Sequence, residues 1–361
     1  MATIYKNLIK QGEGSLDFVT TTDTVSSGMW AGGAGNITSF FTSSAQSASN
    51  GQYYLDVYSA NPQSDSTAQP QFSVAYGHFH GSGSKGLKGT AGDRASAAIY
   101  RQVANLVLAA GTDRFTFANQ HTVAQGDPKN SVFILSVARQ QLREKMDPGN
   151  WELHISGGID LEAGQGHGAE RTAKAQRFPV KLIDDSSTVS QETSLGGRVF
   201  NIVSGSLVGG TTIKTAAASQ GSGSYGLFYP DLGLLVFNGF SLNLNAALGE
   251  STGSNSLGDN NNNFFNAIAS GSYFSARREE VIDSQHYFCR VGNADFNYSA
   301  NPTFSLTGSF TQQTFIKNPR TFITQVGLYN DDNELLAIAK LSKPLLKSFS
   351  REAIIKVKLD F

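Results

Sequence analysis

Two histidines one residue apart, His78-Phe79-His80, are the residues of this sequence closest to a metal site. On a strand, side chains at i and i+2 share a face, so both imidazoles could reach one ion. A zinc site needs further ligands, and no cysteine, third histidine or clear acidic cluster stands nearby. Two half-exposed polar residues beside a flexible loop is the plainer reading. Asn330-Asp331-Asp332-Asn333-Glu334 is acidic enough to suggest calcium, yet it lacks EF-hand spacing and has the composition of a hairpin turn. Gly81-Ser82-Gly83-Ser84-Lys85-Gly86 resembles a phosphate loop only on the surface. It lacks the Gly-Lys-Ser/Thr ending, and no helix opens directly on it. Gly221-Ser222-Gly223-Ser224 lies in a low-complexity stretch, not between a strand and a helix as a nucleophile elbow requires.

Glycan hydrolysis would need two carboxylates about 5–10 Å apart. Asp184, Asp185, Glu279, Glu280 and Asp283 are available, but spacing along the chain pairs none of them. The single cysteine, Cys289, excludes an internal disulfide. It alternates with Tyr287 and Val291 on a strand and has no activating cation in view, which describes a buried inert thiol. Arg139, Arg143, Glu144 and Lys145 form a charged patch before Asp147-Pro148. It reads as exposed strand-edge charge, which resists unwanted pairing, or as an interface salt bridge. No catalytic, cofactor-binding or metal residue is therefore assigned, and the chain is not expected to be an enzyme.

The elements that hold these residues follow from composition and periodicity. Charged residues are 16% of the 361, well under the typical value of about 25%. Thirty-eight glycines, with much Ser, Thr and Asn, disfavour helices and suit short strands joined by polar loops. A net charge of −1 offers no pull toward nucleic acid or an anionic membrane, and so poor a charge permits self-association. The 24 Phe and 12 Tyr suit sheet cores and contact surfaces. No run approaches the roughly 20 apolar residues of a membrane helix, and the N-terminus lacks the apolar stretch of a signal peptide. The chain is expected to be made in the cytosol and to stay soluble until it assembles.

Strands are expected at 52–58, 71–76, 131–137, 151–155, 178–183 and 198–203, with a turn at Asp147-Pro148-Gly149-Asn150. One helix is expected at 93–111. Asp93 would cap it, Gly111 would end it, and Ile99, Val103, Leu106 and Ala110 would form its buried face. Loops are expected at 81–92, 157–177 and 249–263, with a short helix at 264–270. Tyr225–Phe237 reads as a hairpin turning at Pro230-Asp231, and 322–339 as another turning at 330–333. From Ala353 to Phe361 the residues alternate with period 2. The fold class is thus mainly β, with β-sandwich-like sheets and a few short helices (all-β to α+β). The expected domains are 1–207, a linker at 208–224, and 225–361.

Three stretches carry a family resemblance: Asp147-Pro-Gly-Asn-Trp-Glu-Leu153, Tyr225-Gly-Leu-Phe-Tyr-Pro-Asp-Leu-Gly233, and Tyr287-Phe-Cys-Arg-Val291 with Phe296-Asn-Tyr-Ser-Ala-Asn-Pro-Thr-Phe304. They resemble virion proteins of large contractile-tailed phages, including those of marine cyanobacteria. Thr321–Asn330 and Glu334–Pro344 fit the same group. Phe322–Leu328 is similar to a strand of the baseplate wedge protein of T-even-type phages. The resemblance begins near residue 50 and is densest after 280. It implies a structural subunit of the virion tail or baseplate, with a neck or head protein or a receptor- or carbohydrate-binding tail module as alternatives. Its partners would be itself, as a dimer or ring, and other virion proteins. It carries over no catalytic residue and no cofactor.

Overall fold

The computed structural model describes residues 8, 17–43, 53–84, 94–117, 129–157, 180–187, 192–208, 224–246, 248–251, 259–297, 305–306, 309–310 and 318–361. In chain order these form β1 (Phe18–Gly28), β2 (Asn36–Ile37), β3 (Phe41–Thr42), β4 (Tyr54–Tyr58), β5 (Pro70–His78), α1 (Ala95–Val107), β6 (Ser131–Val137), α2 (Arg139–Leu142), β7 (Lys145–Ile155), β8 (Val180–Asp184) and β9 (Glu192–Ser194). There follow β10 (Gly197–Ser204), β11 (Gly226–Tyr229), β12 (Leu234–Asn238), α3 (Gly239–Ala246), α4 (Asp259–Gly271), β13 (Phe274–Val291), β14 (Ser305–Leu306), β15 (Ser309–Phe310), β16 (Thr321–Tyr329), β17 (Leu335–Lys347) and β18 (Ala353–Asp360). Strand takes 51% and helix 16% of the described residues, so the fold is mainly β.

The chain divides into two units. The larger is Val25–Glu280, and the smaller joins Met1–Thr24 to Val281–Phe361. The expected boundary at 208–224 is not where the chain divides. β10 and β11, on either side of it, are hydrogen-bonded neighbours with Ile202 opposite Gly226, and residues 209–223 lie outside the described set.

In the larger unit one antiparallel ladder runs β13–β7–β8–β10–β11–β12–β6–β5–β4–β3. Its centre is β6 against β12, where Val132-Phe-Ile-Leu135 meets Leu235-Val-Phe-Asn238. These continuous apolar runs are buried on both faces, as a strand covered on each side must be. The sheet curls until its ends face each other. Phe72 on β5 and Phe274 on β13 are far apart in ladder order, yet their rings lie 5.5 Å apart, with Trp30 4.7 Å from Phe274. The enclosed core holds Trp151, Leu153, Ile155, Phe228 and Phe237. Each such fully buried side chain stabilises the fold by roughly 1.5–3 kcal/mol. α4 lies against this core through Phe264, whose ring is 5.1 Å from Phe133 and 5.6 Å from Phe237. α1 covers the other face of β6 and β12.

Several local expectations are corrected. α1 buries Ala97, Tyr100, Ala104 and Val107, while Leu106 is 52% exposed and Ala110 lies beyond the helix end. Tyr100 decides the rotation, because its hydroxyl donates to Lys129 O at 2.6 Å and accepts from Phe115 N at 2.9 Å. The N-cap is Arg94, with no side-chain cap bond, and Asp93 lies outside the described residues. Gly111 (φ +88°) sits in the turn after the helix. Asp147–Asn150 is no chain reversal: β7 runs through it as a bulge. Five residue steps from Met146 to Trp151 oppose two on β13, and Gly149 supplies φ +77°. α4 starts at Asp259 and takes in the asparagine run read as loop.

In the smaller unit, Ser284–Val291 of β13 pairs β18 residue by residue, from Ser284 opposite Asp360 to Val291 opposite Ala353. The other flank of this stretch meets β1: Phe288 N donates to Asp17 O at 2.8 Å, and Thr21 Oγ1 lies 3.0 Å from His286 Nε2. β16 and β17 form a separate two-stranded hairpin.

Candidate functional site

The imidazoles of His78 and His80 do not make a ligand pair. His78 ends β5, and its Nδ1 accepts the backbone N–H of His80 at 3.1 Å and of Ser82 at 3.3 Å. Burial, then the neighbouring His80, pushes His78 down to about 4, so the ring is neutral at pH 7 and serves as a turn acceptor. The Gly-Ser tract that follows caps a helix instead of cradling phosphate. Ser84 Oγ accepts Ser96 N at 3.2 Å, in the first turn of α1, and Ser96 Oγ donates to Ser82 O at 2.9 Å. Residues 85–93 of that tract lie outside the described set.

The carboxylates are all engaged in structure. Asp184 accepts Gly149 N at 2.8 Å and Ser186 N at 2.9 Å, which fixes the β7 bulge. Burial raises its pKa despite these bonds. Asp185 takes both Asn201 N and Asn201 Nδ2. Glu279 and Glu280 join the charged patch in two intramolecular ion clusters, one on each carboxylate. Arg143 Nη1 reaches Glu280 at 3.1 Å, Lys145 reaches Glu279 at 3.6 Å, and Arg198 bridges Glu279 and Asp231 at 3.3 and 3.0 Å. Arg278 also reaches Glu280, at 3.1 Å. Arg143 and Lys145 of the patch are thus paired within the larger unit. Asp283, in the smaller unit, accepts Thr22 Oγ1 at 2.9 Å. Cys289 is half-buried, and burial, then the charge of Asp17, raises its thiol pKa, away from a reactive thiolate. Asn330–Glu334 is a turn closed by Asn330 N to Glu334 O at 3.0 Å, with Asn333 at φ +62°.

Two arrangements were not read from the sequence. Glu152, 3% exposed, lies 2.6 Å from His154 Nε2 and accepts Leu207 N and Ser206 Oγ. Burial raises its pKa, but these hydrogen bonds outweigh that and leave it lowered. A buried carboxylate orienting an imidazole is half of a nucleophilic triad. Ser206, the nearby hydroxyl, points to the carboxylate and not to the ring, so the geometry supplies no nucleophile. The pair instead ties the end of β10 to β7. Lys347 is 1% exposed, and its ammonium donates to Asn293 O, Asn297 Oδ1 and Ser348 O at 2.9–3.0 Å. It anchors the root of the β16–β17 hairpin. A residue-type motif gives no hint of either, because both depend on strands distant in sequence.

Among the described residues no three His, Cys, Asp or Glu converge on a metal position, and no helix is long and apolar enough to cross a membrane. The cavity lined by Tyr76, Ser84, Ser96, Ile99, Asn260 and Asn261 has about 20 Å³, room for one water.

Among the described residues, the β16–β17 hairpin exposes large apolar side chains. Toward its turn Leu336 is 68% and Ile338 53% exposed, with Tyr329 and Leu335 exposed near them, and Phe322, 63% exposed, stands at its root opposite Leu346. Large apolar side chains grouped on a surface mark interaction sites. Compared with protein families, characterised proteins and solved structures, the chain matches none.

Proposed function

We propose that the chain is a structural subunit of a tailed-phage virion, placed in the tail or baseplate, that acts through protein–protein interfaces. The observation that carries this is the β16–β17 hairpin. A two-stranded sheet is marginal in water unless a third strand or a packed face supports it, and this one presents Phe322, Leu336 and Ile338 to solvent. A segment of this kind gains its stability from a neighbour. The family resemblance of Thr321–Asn330 and Glu334–Pro344 falls on the same hairpin. The engaged carboxylates and the neutral His78 agree with a role that needs no catalytic group.

The test is to separate purified phage particles into heads and tails and to find the chain by mass spectrometry. Recovery with tails supports the reading, recovery with heads moves the chain to the capsid or neck, and absence from both sinks it.

A second reading, a saccharide-binding tail module, draws on β4. Tyr54 is 49% exposed, and Asp56 and Tyr58 follow it on the same face, with Phe41 opposite Tyr58 on β3. Exposed aromatic rings flanking a carboxylate suit sugar faces and hydroxyls. Glycan-array binding lost in Tyr54→Ala would favour this reading over the first.

A further inference from the structure

Along β4 the alternation that buries Leu55 and Val57 puts Tyr54, Asp56 and Tyr58 on the opposite face. Tyr58 reports how close the three stand: burial, then the charges of Asp56 and Tyr54, raise its pKa. On β3, Phe40 turns inward to 6.2 Å from Phe72, which leaves the exposed Phe41 on the outer face opposite Tyr58. β4 therefore presents two neighbouring rings at one end and a single ring, Tyr54, about 13 Å along the strand at the other, with a carboxylate between them. That carboxylate is held in place. Ser73 Oγ donates to Asp56 Oδ1 at 2.5 Å, and Oδ2 has no partner among the described residues. The sheet beside this row carries small side chains: Ser73 opposite Asp56, Ala75 opposite Tyr54, and Ser136 opposite Ser73. All three are half-buried. The helix on this face, α1, stands over Gly77 and the β6–β12 pair.

We propose that this face binds a linear glycan lying along β4, with Tyr54 and the Phe41–Tyr58 pair stacking on sugar rings at its two ends and Asp56 accepting hydroxyl or amino protons between them. Tyrosine offers a large amphipathic contact at little rotamer cost, and the strand fixes the order of the rings. The rings stand in a row broken by hydroxyls and a carboxylate, not in one apolar patch. An apolar protein surface would bury that carboxylate without a donor, at a cost, whereas a sugar chain brings hydroxyl donors along its whole length. The separation of the rings selects length: one sugar reaches one end, and an oligosaccharide reaches both. Asp56 selects charge. It makes charge-assisted hydrogen bonds to hydroxyl and ammonium donors and repels the carboxylate of an acidic sugar.

This inference rests on the reading of β4 as a saccharide-binding face and names the form of the glycan. The experiment is isothermal titration calorimetry on the full chain with glucan, chitin, chitosan and galacturonate oligomers, each as the disaccharide and the hexasaccharide. A neutral or amino hexasaccharide is expected to bind about tenfold or more tighter than its disaccharide, and the galacturonate oligomers not to bind. Tyr54→Ala, at an exposed position, is expected to bring the hexasaccharide down to the affinity of the disaccharide with the thermal melt unchanged. Asp56→Asn is expected to admit the galacturonate hexasaccharide. Equal affinity for the two lengths, a Tyr54→Ala variant that binds the hexasaccharide as tightly as the wild type, or an Asp56→Asn variant that still excludes galacturonate overturns the inference and leaves the saccharide reading standing. Binding to none of these glycans overturns both.

Discussion

At the scale of the residue, Lys347 sets the cost of burying an ammonium against three neutral oxygens. Its three protons go to Asn293 O, Asn297 Oδ1 and Ser348 O. Lys347→Met keeps the stem and orphans those acceptors. The expected loss is about 2 kcal/mol, read by urea unfolding, since a buried acceptor left unmade costs roughly 1–3 kcal/mol. Unchanged stability would mean that the three oxygens find water as readily. His78 gives a pH dependence whose sign is set by its direction of shift. In the unfolded chain the ring titrates near 6.5, and in the folded protein near 4. Between those values unfolding takes up a proton, so stability falls as the pH drops through that window and is flat in this respect above it. His78→Asn keeps an acceptor for His80 N and Ser82 N and removes the titration. Denaturant unfolding from pH 7 to 4 is expected to show a shallower decline in that variant.

At the scale of the element, close backbone approach between α4 and β7 limits what can stand at Gly271. A methyl there would lie 2.1 Å from His154 O. Gly271→Ala must therefore push the helix off the strand, at about 2 kcal/mol or more, the scale of overpacking; a thermal melt unchanged from wild type would refute that contact. Deleting Ala353–Phe361 removes the eight-residue register that β18 makes with Ser284–Val291. Faster hydrogen exchange at the amides of that β13 stretch is the expected outcome, and retained protection would show the strand to be peripheral. The sequence-derived elements were right where one physical signal dominated. β18 shows one alternating face, β6 a continuous apolar run, and 226–238 a hairpin around Pro230-Asp231. They failed where side chains bond to distant backbone. Asn260 is 1% exposed and satisfies Ser251 N and O and also Gly83 O, so a polar run that resembles loop begins a helix. In β7, the alternation places Trp151, Leu153 and Ile155 inward as expected. It cannot reveal that Glu152, on the other face, is buried too. The ion clusters were invisible for the same reason: Arg198 and Glu279 are neighbours only after the sheet has formed.

At the scale of the whole molecule, the larger unit is a single continuous stretch, Val25–Glu280, with its own enclosed core. A fragment of residues 25–280 is therefore expected to unfold cooperatively by itself, as domains with their own core do. Circular dichroism on heating tests this, and a broad, uncooperative melt would show that the core depends on the termini. The smaller unit is assembled from both ends of the chain. Lys347→Met and the deletion of Ala353–Phe361 are thus expected to leave the transition of the 25–280 stretch in place.

That division also fixes an order in time. Thr21 finds its partner at His286, and Asp17 at Phe288, so the first strand cannot pair until some 265 further residues have been made. At roughly 5–20 residues per second of synthesis, the nascent chain carries that strand unpaired for on the order of 10–50 s. During this interval the larger unit can already close beside the ribosome. Residues 281–361 then capture that strand, and a chain stopped before residue 281 would release with Asp17 and Thr21 still unclaimed.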